Sequence, residues 1–321
     1  MPTKTKYELK LGAATREAFG KALVEAGREN KDIVVCDADL SKSTYTNLFA
    51  KEFPDRFFEC GIAEANMVAI GAGLASVGKI PFVSSFSCFV MNKGFEQLRV
   101  TVAFPRTNVK VVGTHSGISI GEDGPSQMSI EDLALACALP GFTVLSPADE
   151  VSTMAVVKSA AKLDGPVFIR TGRAKVPVIY NADQQFPIGK SIELVEGTDV
   201  TLIAHGLMVG EAIRASETLE AEGISARVLD MFTIKPLDRD AIRRAAAETR
   251  AIVVAEEHLV DGGLGVRVAQ AAAELNPCVM EFVGIEDTYA ESGTPDQLLA
   301  KYGLVAAKVA DAARRAVSRK R

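Results

Sequence analysis

The stretch Phe57-Phe-Glu-Cys-Gly-Ile-Ala-Glu64-Ala-Asn-Met-Val-Ala-Ile-Gly-Ala-Gly-Leu-Ala-Ser-Val-Gly-Lys-Ile80-Pro-Phe-Val-Ser84 decides the fold. Phe57-Phe-Glu-Cys is a short aromatic run that reads as a strand. Met67, Ile70 and Leu74 then recur at spacings of three and four, the period of a helix from about Ala63 to Ser76. Ile80 to Ser84 reads as the next strand. Strand, helix, strand is the repeating unit of a parallel sheet. The same alternation runs outward in both directions. Toward the N-terminus, Ile33-Val-Val-Cys-Asp is a buried strand and Gly12 to Arg28 an amphipathic helix. Toward the C-terminus follow a helix around Phe95 to Ala103, a strand at Val109 to Gly113, and Phe142-Thr-Val-Leu. A helix from Asp149 and a strand at Val167-Phe-Ile-Arg complete the set. Pro177 to Gly189 breaks the pattern with two prolines and paired glutamines, and reads as a linker. Strands at Val200–Ala204, Ala226–Leu229, Ala251–Ala255 and Val279–Val283 then alternate with helices near Val209–Glu222, Asp238–Glu248, Val266–Glu274 and Val305–Val317. The expectation is an α/β protein of two doubly wound domains with mostly parallel sheets, residues 1–186 and 187–321.

Composition supports a globular chain. Of 321 residues, 48% are hydrophobic and 24% charged, enough to bury two cores without disulfides. A net charge of −5 argues against a nucleic-acid surface or a polybasic membrane footprint. No uncharged apolar run reaches the roughly 18 residues of a membrane helix, and Met1 to Tyr7 carries no signal region. Cys36, Cys60, Cys88, Cys137 and Cys278 are odd in number and widely spaced, as in a reduced, cytoplasmic protein. Arg319, Lys320 and Arg321 read as a solvated basic tail.

Ligands of open α/β sheets sit beyond the carboxyl ends of the strands, and three clusters lie there. Glu64 falls in the first turn of an apolar helix. An acid there complements the helix dipole; alternatively it is a semi-buried carboxyl with a raised pKa, able to share a proton with a ligand nitrogen. Phe86 and Phe89 are core residues or a stacking wall for a flat heterocycle. Thr114 to Gln127 gathers His115, several hydroxyls, two acids and three glycines, the composition of a loop that approaches a ligand closely. No phosphate-loop or dinucleotide fingerprint is present, and Gly262-Gly-Leu-Gly reads as a helix-entry turn. His115, His205 and His258 are too far apart in sequence to form a metal motif.

These residues carry a family resemblance. Asp37-Ala-Asp-Leu, Gly61-Ile-Ala-Glu-Ala-Asn-Met, Gly121-Glu-Asp-Gly-Pro-Ser-Gln, Phe168-Ile-Arg-Thr-Gly-Arg and Phe232-Thr-Ile-Lys-Pro-Leu-Asp stand in the order found in transketolases. The chain resembles the pyrimidine-binding and C-terminal domains of that family, from about residue 10 to 316. The diphosphate-binding signature, G-D-G…N, is not in the sequence. The resemblance implies the C-terminal subunit of a split transketolase, transferring a two-carbon ketol unit from a ketose phosphate to an aldose phosphate. It implies thiamine diphosphate shared with an N-terminal partner subunit, which would bind Mg²⁺ or Ca²⁺, and a homodimer within an α2β2 assembly.

Roles follow from the matching positions. Glu64 would hydrogen-bond the aminopyrimidine, with Phe86 and Phe89 around it and Asp39 nearby. Many relatives carry a further aromatic where this chain has Asn92. His115 and Asp123 would bind sugar hydroxyls, His115 being also a catalytic candidate. Ser43 and Arg173 would bind the sugar phosphate, and Gln127 stands where many microbial enzymes have His. Alternatives are a transketolase-like enzyme for a branched or sulfonated sugar, a deoxyxylulose-phosphate synthase-like subunit, and a non-catalytic assembly subunit. His258 resembles a family block of the second domain and reads as part of a packed helix entry.

Overall fold

Runs of β-branched residues and alanine-rich helices alternate through residues 7–320, the part described by the computed structural model. The first half contains β1 (Leu11–Ala14), α1 (Thr15–Glu29), β2 (Ile33–Asp37), α2 (Ser41–Thr44), α3 (Asn47–Glu52), β3 (Phe57–Glu59), α4 (Glu64–Ser76) and β4 (Ile80–Phe86). It continues with α5 (Ser87–Lys93), α6 (Phe95–Gln97), β5 (Lys110–Thr114), α7 (Asp132–Ala138), β6 (Thr143–Leu145), α8 (Glu150–Lys162), β7 (Val167–Arg170) and β8 (Lys175–Pro177). The second half contains β9 (Ile192–Val195), β10 (Val200–Ala204), α9 (Met208–Ala221), β11 (Ala226–Asp230), β12 (Thr233–Lys235) and α10 (Arg239–Glu248). It ends with β13 (Ala251–Leu259), α11 (Leu264–Leu275), β14 (Val279–Ile285), α12 (Pro295–Lys301) and α13 (Ala306–Ser318).

The first sheet has the order β12-β6-β7-β5-β4-β2-β3, parallel except at β12. The second is β14-β13-β10-β11-β9, parallel except at β9. Helices cover both faces, which is why β2, β5 and β10 are buried along their whole length. Phe19, Phe82, Phe168 and Phe232 are fully buried, each contributing about 1.5–3 kcal/mol. From β2 the chain moves outward to β3; from β4 it moves the opposite way to β5. The loops after these two neighbouring strands therefore diverge and leave a crevice at the carboxyl edge.

Three expectations change and one gains detail. Gly12–Ala14, expected as the start of the helix, belongs to the strand Leu11–Ala14, because that strand pairs antiparallel with Lys175–Pro177. Pro177–Gly189 joins the two units and is tethered to both. The buried Asp149 carboxylate accepts the amide hydrogens of Ile179 and Tyr180, and the Tyr180 hydroxyl donates to Asp230 at 2.6 Å. Thr233–Lys235 leaves the second half to become the antiparallel edge of the first sheet, so the two units share a β-ladder. The basic tail is anchored. Arg319 pairs with Glu281, and the Lys320 ammonium binds the Asp199 and Thr249 carbonyls, the latter at the end of α10 where a cation is favoured. Met1–Lys6, at the start of the expected first domain, and Arg321 lie outside the described residues. Among the described residues no helix is long and apolar enough to cross a membrane.

Candidate active site

Asp37 ends β2 in the crevice, fully buried. Its carboxylate accepts the Leu40 amide and the Thr44 and Thr46 hydroxyls at 2.7–2.8 Å. Burial pushes its pKa up to about 6 against those bonds. This knot fixes the turn that carries Asp39 and Ser43. Asp39 adopts φ +65°, and its amide donates to Glu59 at 2.7 Å. Its own side chain is exposed.

β4 and β5 deliver the central stack. Phe86 and Phe89 lie nearly parallel, ring centroids 5.5 Å apart, and the His115 ring covers Phe86 at 3.8 Å. His115 is buried and held at φ +57°. A non-glycine residue there stores strain of order 1–3 kcal/mol, a feature that clusters at functional sites. Its Nε2 lies 2.8 Å from Arg16 Nη1. Arginine only donates, so Nε2 is an acceptor and the ring proton sits on Nδ1, directed at Thr114 Oγ1 at 2.8 Å. Burial, then the charges of Arg16 and Arg173, depress the His115 pKa to about 2. The imidazole is therefore neutral.

Arg16 also donates to the Ser43 carbonyl at 2.9 Å and lies over the Tyr45 ring. Arg173 reaches the Ile120 carbonyl and pairs with Glu122 at 2.9 Å. Glu122 is mostly exposed, so this pair is weak and an incoming anion can displace it. Asp123 is exposed on the same loop and contributes to the field at Arg16. The edge of the crevice thus holds two guanidiniums flanking a neutral imidazole, a natural seat for a phosphate beside hydroxyl groups.

Glu64 begins α4 and is 3% exposed. The half-exposed Lys93 ammonium sits 3.4 Å from Glu64 Oε1 and 4.5 Å over the Phe89 ring. Lys93 thereby spans the gap between carboxylate and aromatic wall. Together Glu64, Phe86 and Phe89 suit a flat heterocycle with a ring nitrogen at its edge. Asn92 turns away to bond Glu131, so the wall is a pair of rings. Gln127 borders the same wall through its carbonyl, which the Cys88 thiol meets at 3.1 Å.

Of the predicted residues, Phe86, Phe89, Glu64, His115 and Ser43 are linked by direct contact or through Arg16 and Lys93, whereas Asp123 and Arg173 reach Arg16 only through their charges. Asp39 joins none of them directly. The sequence reading missed Arg16 and Lys93. Arg16 had a signal, since a cation in the first turn of a helix opposes its dipole. Lys93 had none. His258 is buried between the halves, accepting the Ala134 amide at 3.4 Å, and Gly263 caps α11 as expected of a helix-entry turn. No group of three or more His, Cys, Asp or Glu able to hold a metal occurs among the described residues.

Residues 12–178 match the transketolase pyrimidine-binding domain, and residues 189–309 the transketolase C-terminal domain. The chain belongs to the transketolase family. It is 45% identical to a putative transketolase C-terminal section of Methanocaldococcus jannaschii, over 90% of this chain and 92% of that one. To an apulose-4-phosphate transketolase subunit of Phocaeicola vulgatus it is 42% identical, over 91% and 93%. Human transketolase is 40% identical over 98% of this chain, which spans only 51% of that protein. Among solved structures, a split-gene transketolase described as an inactive β4 tetramer superposes with a TM-score of 0.91 and 50% identity, over 97% of this chain and 100% of that one.

Proposed function

We propose that the chain is the C-terminal subunit of a split transketolase, its units dividing near residues 186 and 187. The observation that carries this reading is one continuous run of contacts, Glu64–Lys93–Phe89–Phe86–His115–Arg16. It joins a heterocycle wall to a phosphate seat across the edge of one sheet. When bound, thiamine diphosphate supplies the nucleophilic carbon and electron sink for ketol transfer between a ketose phosphate and an aldose phosphate. Glu64 holds the proton at the pyrimidine nitrogen, and Phe86 and Phe89 orient the ring. Asp39 lies on the cofactor side. The neutral His115 and the exposed Asp123 bind sugar hydroxyls, and His115 can accept or return a proton at Nε2 once Arg16 turns to the phosphate. Ser43, Gln127, Arg16 and Arg173 hold the sugar phosphate end.

The diphosphate and its Mg²⁺ or Ca²⁺ belong to an N-terminal partner subunit. Self-association through the first domain, giving α2β2, is supported by the outward face of α4. There Ala69 and Gly73 are exposed, and Ile62 before the helix and Val77 after it are about three-quarters exposed. Unpaired cysteines suit a reducing cytoplasm.

The test is ketol transfer from xylulose 5-phosphate to ribose 5-phosphate. It is run with this chain alone, then with a diphosphate-domain subunit, thiamine diphosphate and Mg²⁺. Activity only in the mixture supports the proposal. A mixture that binds cofactor yet transfers nothing moves the substrate to another sugar; the relative named for apulose 4-phosphate makes a branched sugar phosphate the second reading.

A further inference from the structure

The end of β13 departs from the regular ladder. Ala255 pairs with Val283 but Leu259 pairs with Ile285, so four steps on β13 match two on β14. Glu256 and Glu257 are consecutive on this strand, so their carboxylates point to opposite faces. Glu256 stays in its own unit and accepts the Leu264 and Gly265 amides at 2.7 Å, capping α11. Glu257 points into the first unit. Its Oε1 accepts the Ser119 amide at 2.6 Å, and its carboxylate lies so close to Gly117 that a Cβ there would fall 2.1 Å from Cδ. Gly117 also holds φ +78°, so both space and conformation require glycine.

The same strand braces the other wall of the site. The Glu257 carbonyl accepts Arg170 Nη2 at 2.8 Å, and Arg170 Nε binds the Asp132 carboxylate at 2.9 Å. Asp132 in turn accepts the Ser87 hydroxyl at 2.7 Å, directly after Phe86. The Leu259 amide adds a bond to the Ile130 carbonyl at 2.9 Å. Glu257 is 3% exposed. A carboxyl is costly to bury for packing alone, and one accepted amide offsets only part of that cost.

We infer that Glu257 is a positioning residue: a carboxyl group of the second domain sets the backbone of Gly117–Ser119, and through it the strained seat of His115. Substrate affinity then depends on a domain outside the pyrimidine site. The substrate readout rests on the transketolase reading; the backbone readout does not.

The test compares Glu257→Ala, Glu257→Gln and Glu256→Gln. Gln keeps an accepting oxygen for Ser119, and its NH₂ can face a neighbouring cavity of about 20 Å³ lined by the hydroxyls of Ser119, Ser146 and Thr171. Hydrogen exchange on the isolated chain should show the amides of residues 117–121 exchanging about tenfold or more faster in Glu257→Ala. Glu257→Gln should lie within threefold of the parent, on the order of a half-strength acceptor. In the reconstituted complex, Glu257→Ala should raise KM for the ketose phosphate about tenfold or more with a smaller change in kcat, and Gln should rescue it. Glu256→Gln should accelerate exchange in α11 and leave KM unchanged. Loop exchange within twofold of the parent in Glu257→Ala would overturn the inference. So would acceleration spread evenly over the second domain in both Glu257 variants. A parent complex without ketol transfer would remove the functional reading and leave the exchange result to decide.

Discussion

Replacing Glu64 by Gln separates chemistry from stability. The side chain is buried, and its ion pair is with Lys93, whose side chain is 52% exposed. A pair with one partner half in water contributes at most about 1 kcal/mol. The loss of a charge in the first turn of α4 costs a further ~0.3–1 kcal/mol. The amide fills the same volume, so no cavity term is added. The sum is about 2 kcal/mol at most, at about 1.5 °C of Tm per kcal/mol for a chain of 321 residues. Activity should fall far more. Gln cannot hold or release the proton required at the pyrimidine nitrogen, and loss of a positioned acid–base group costs about 10²–10⁴-fold. The assay pairs ketol transfer by the reconstituted complex with thermal unfolding of the isolated chain. Turnover within tenfold of the parent would refute the role of Glu64. Loss of the folded state would refute the energetic argument.

Three further outcomes are expected. Arg173→Ala should raise KM for phosphorylated sugars about tenfold or more, the worth of one charge-assisted bond, while sparing unphosphorylated acceptors; equal effects on both substrate classes would remove the phosphate seat. The His115 ring should not titrate between pH 5 and 9, since its pKa is near 2, and pH-independent imidazole NMR shifts over that range would establish it. Burial, aided by Asp149, raises the Asp230 pKa to about 8 from 3.8. Between those values the folded chain holds a proton that the unfolded chain has released, so stability falls as pH rises, by roughly 1.4 kcal/mol per pH unit at most. Asp230→Asn keeps an acceptor for Tyr180 and removes that slope. Its stability relative to the parent, from urea unfolding, should therefore rise between pH 5 and 8, and a pH-independent difference would refute the assignment.

The alternation of strand and helix was legible because it is local. A three-to-four period with alanine, or a run of β-branched residues, reports the environment a segment needs wherever it lies. The same holds for Glu64 and His115, since a lone acid opening an apolar helix and a histidine in a glycine-rich loop are anomalies within a few residues. Tertiary structure alone decided what depends on distant partners. Gly12–Ala14 reads as the start of a helix and becomes part of a strand because Lys175–Pro177 lies beside it. Thr233–Lys235 follows a strand of the second sheet yet completes the first. Arg16, 99 residues from His115, fixes the tautomer of that imidazole, and Glu257, 138 residues from Ser119, holds its loop. Hydrogen bonds and charges act over a few ångströms of space, and no periodicity in the chain records which remote side chains folding will bring within that range.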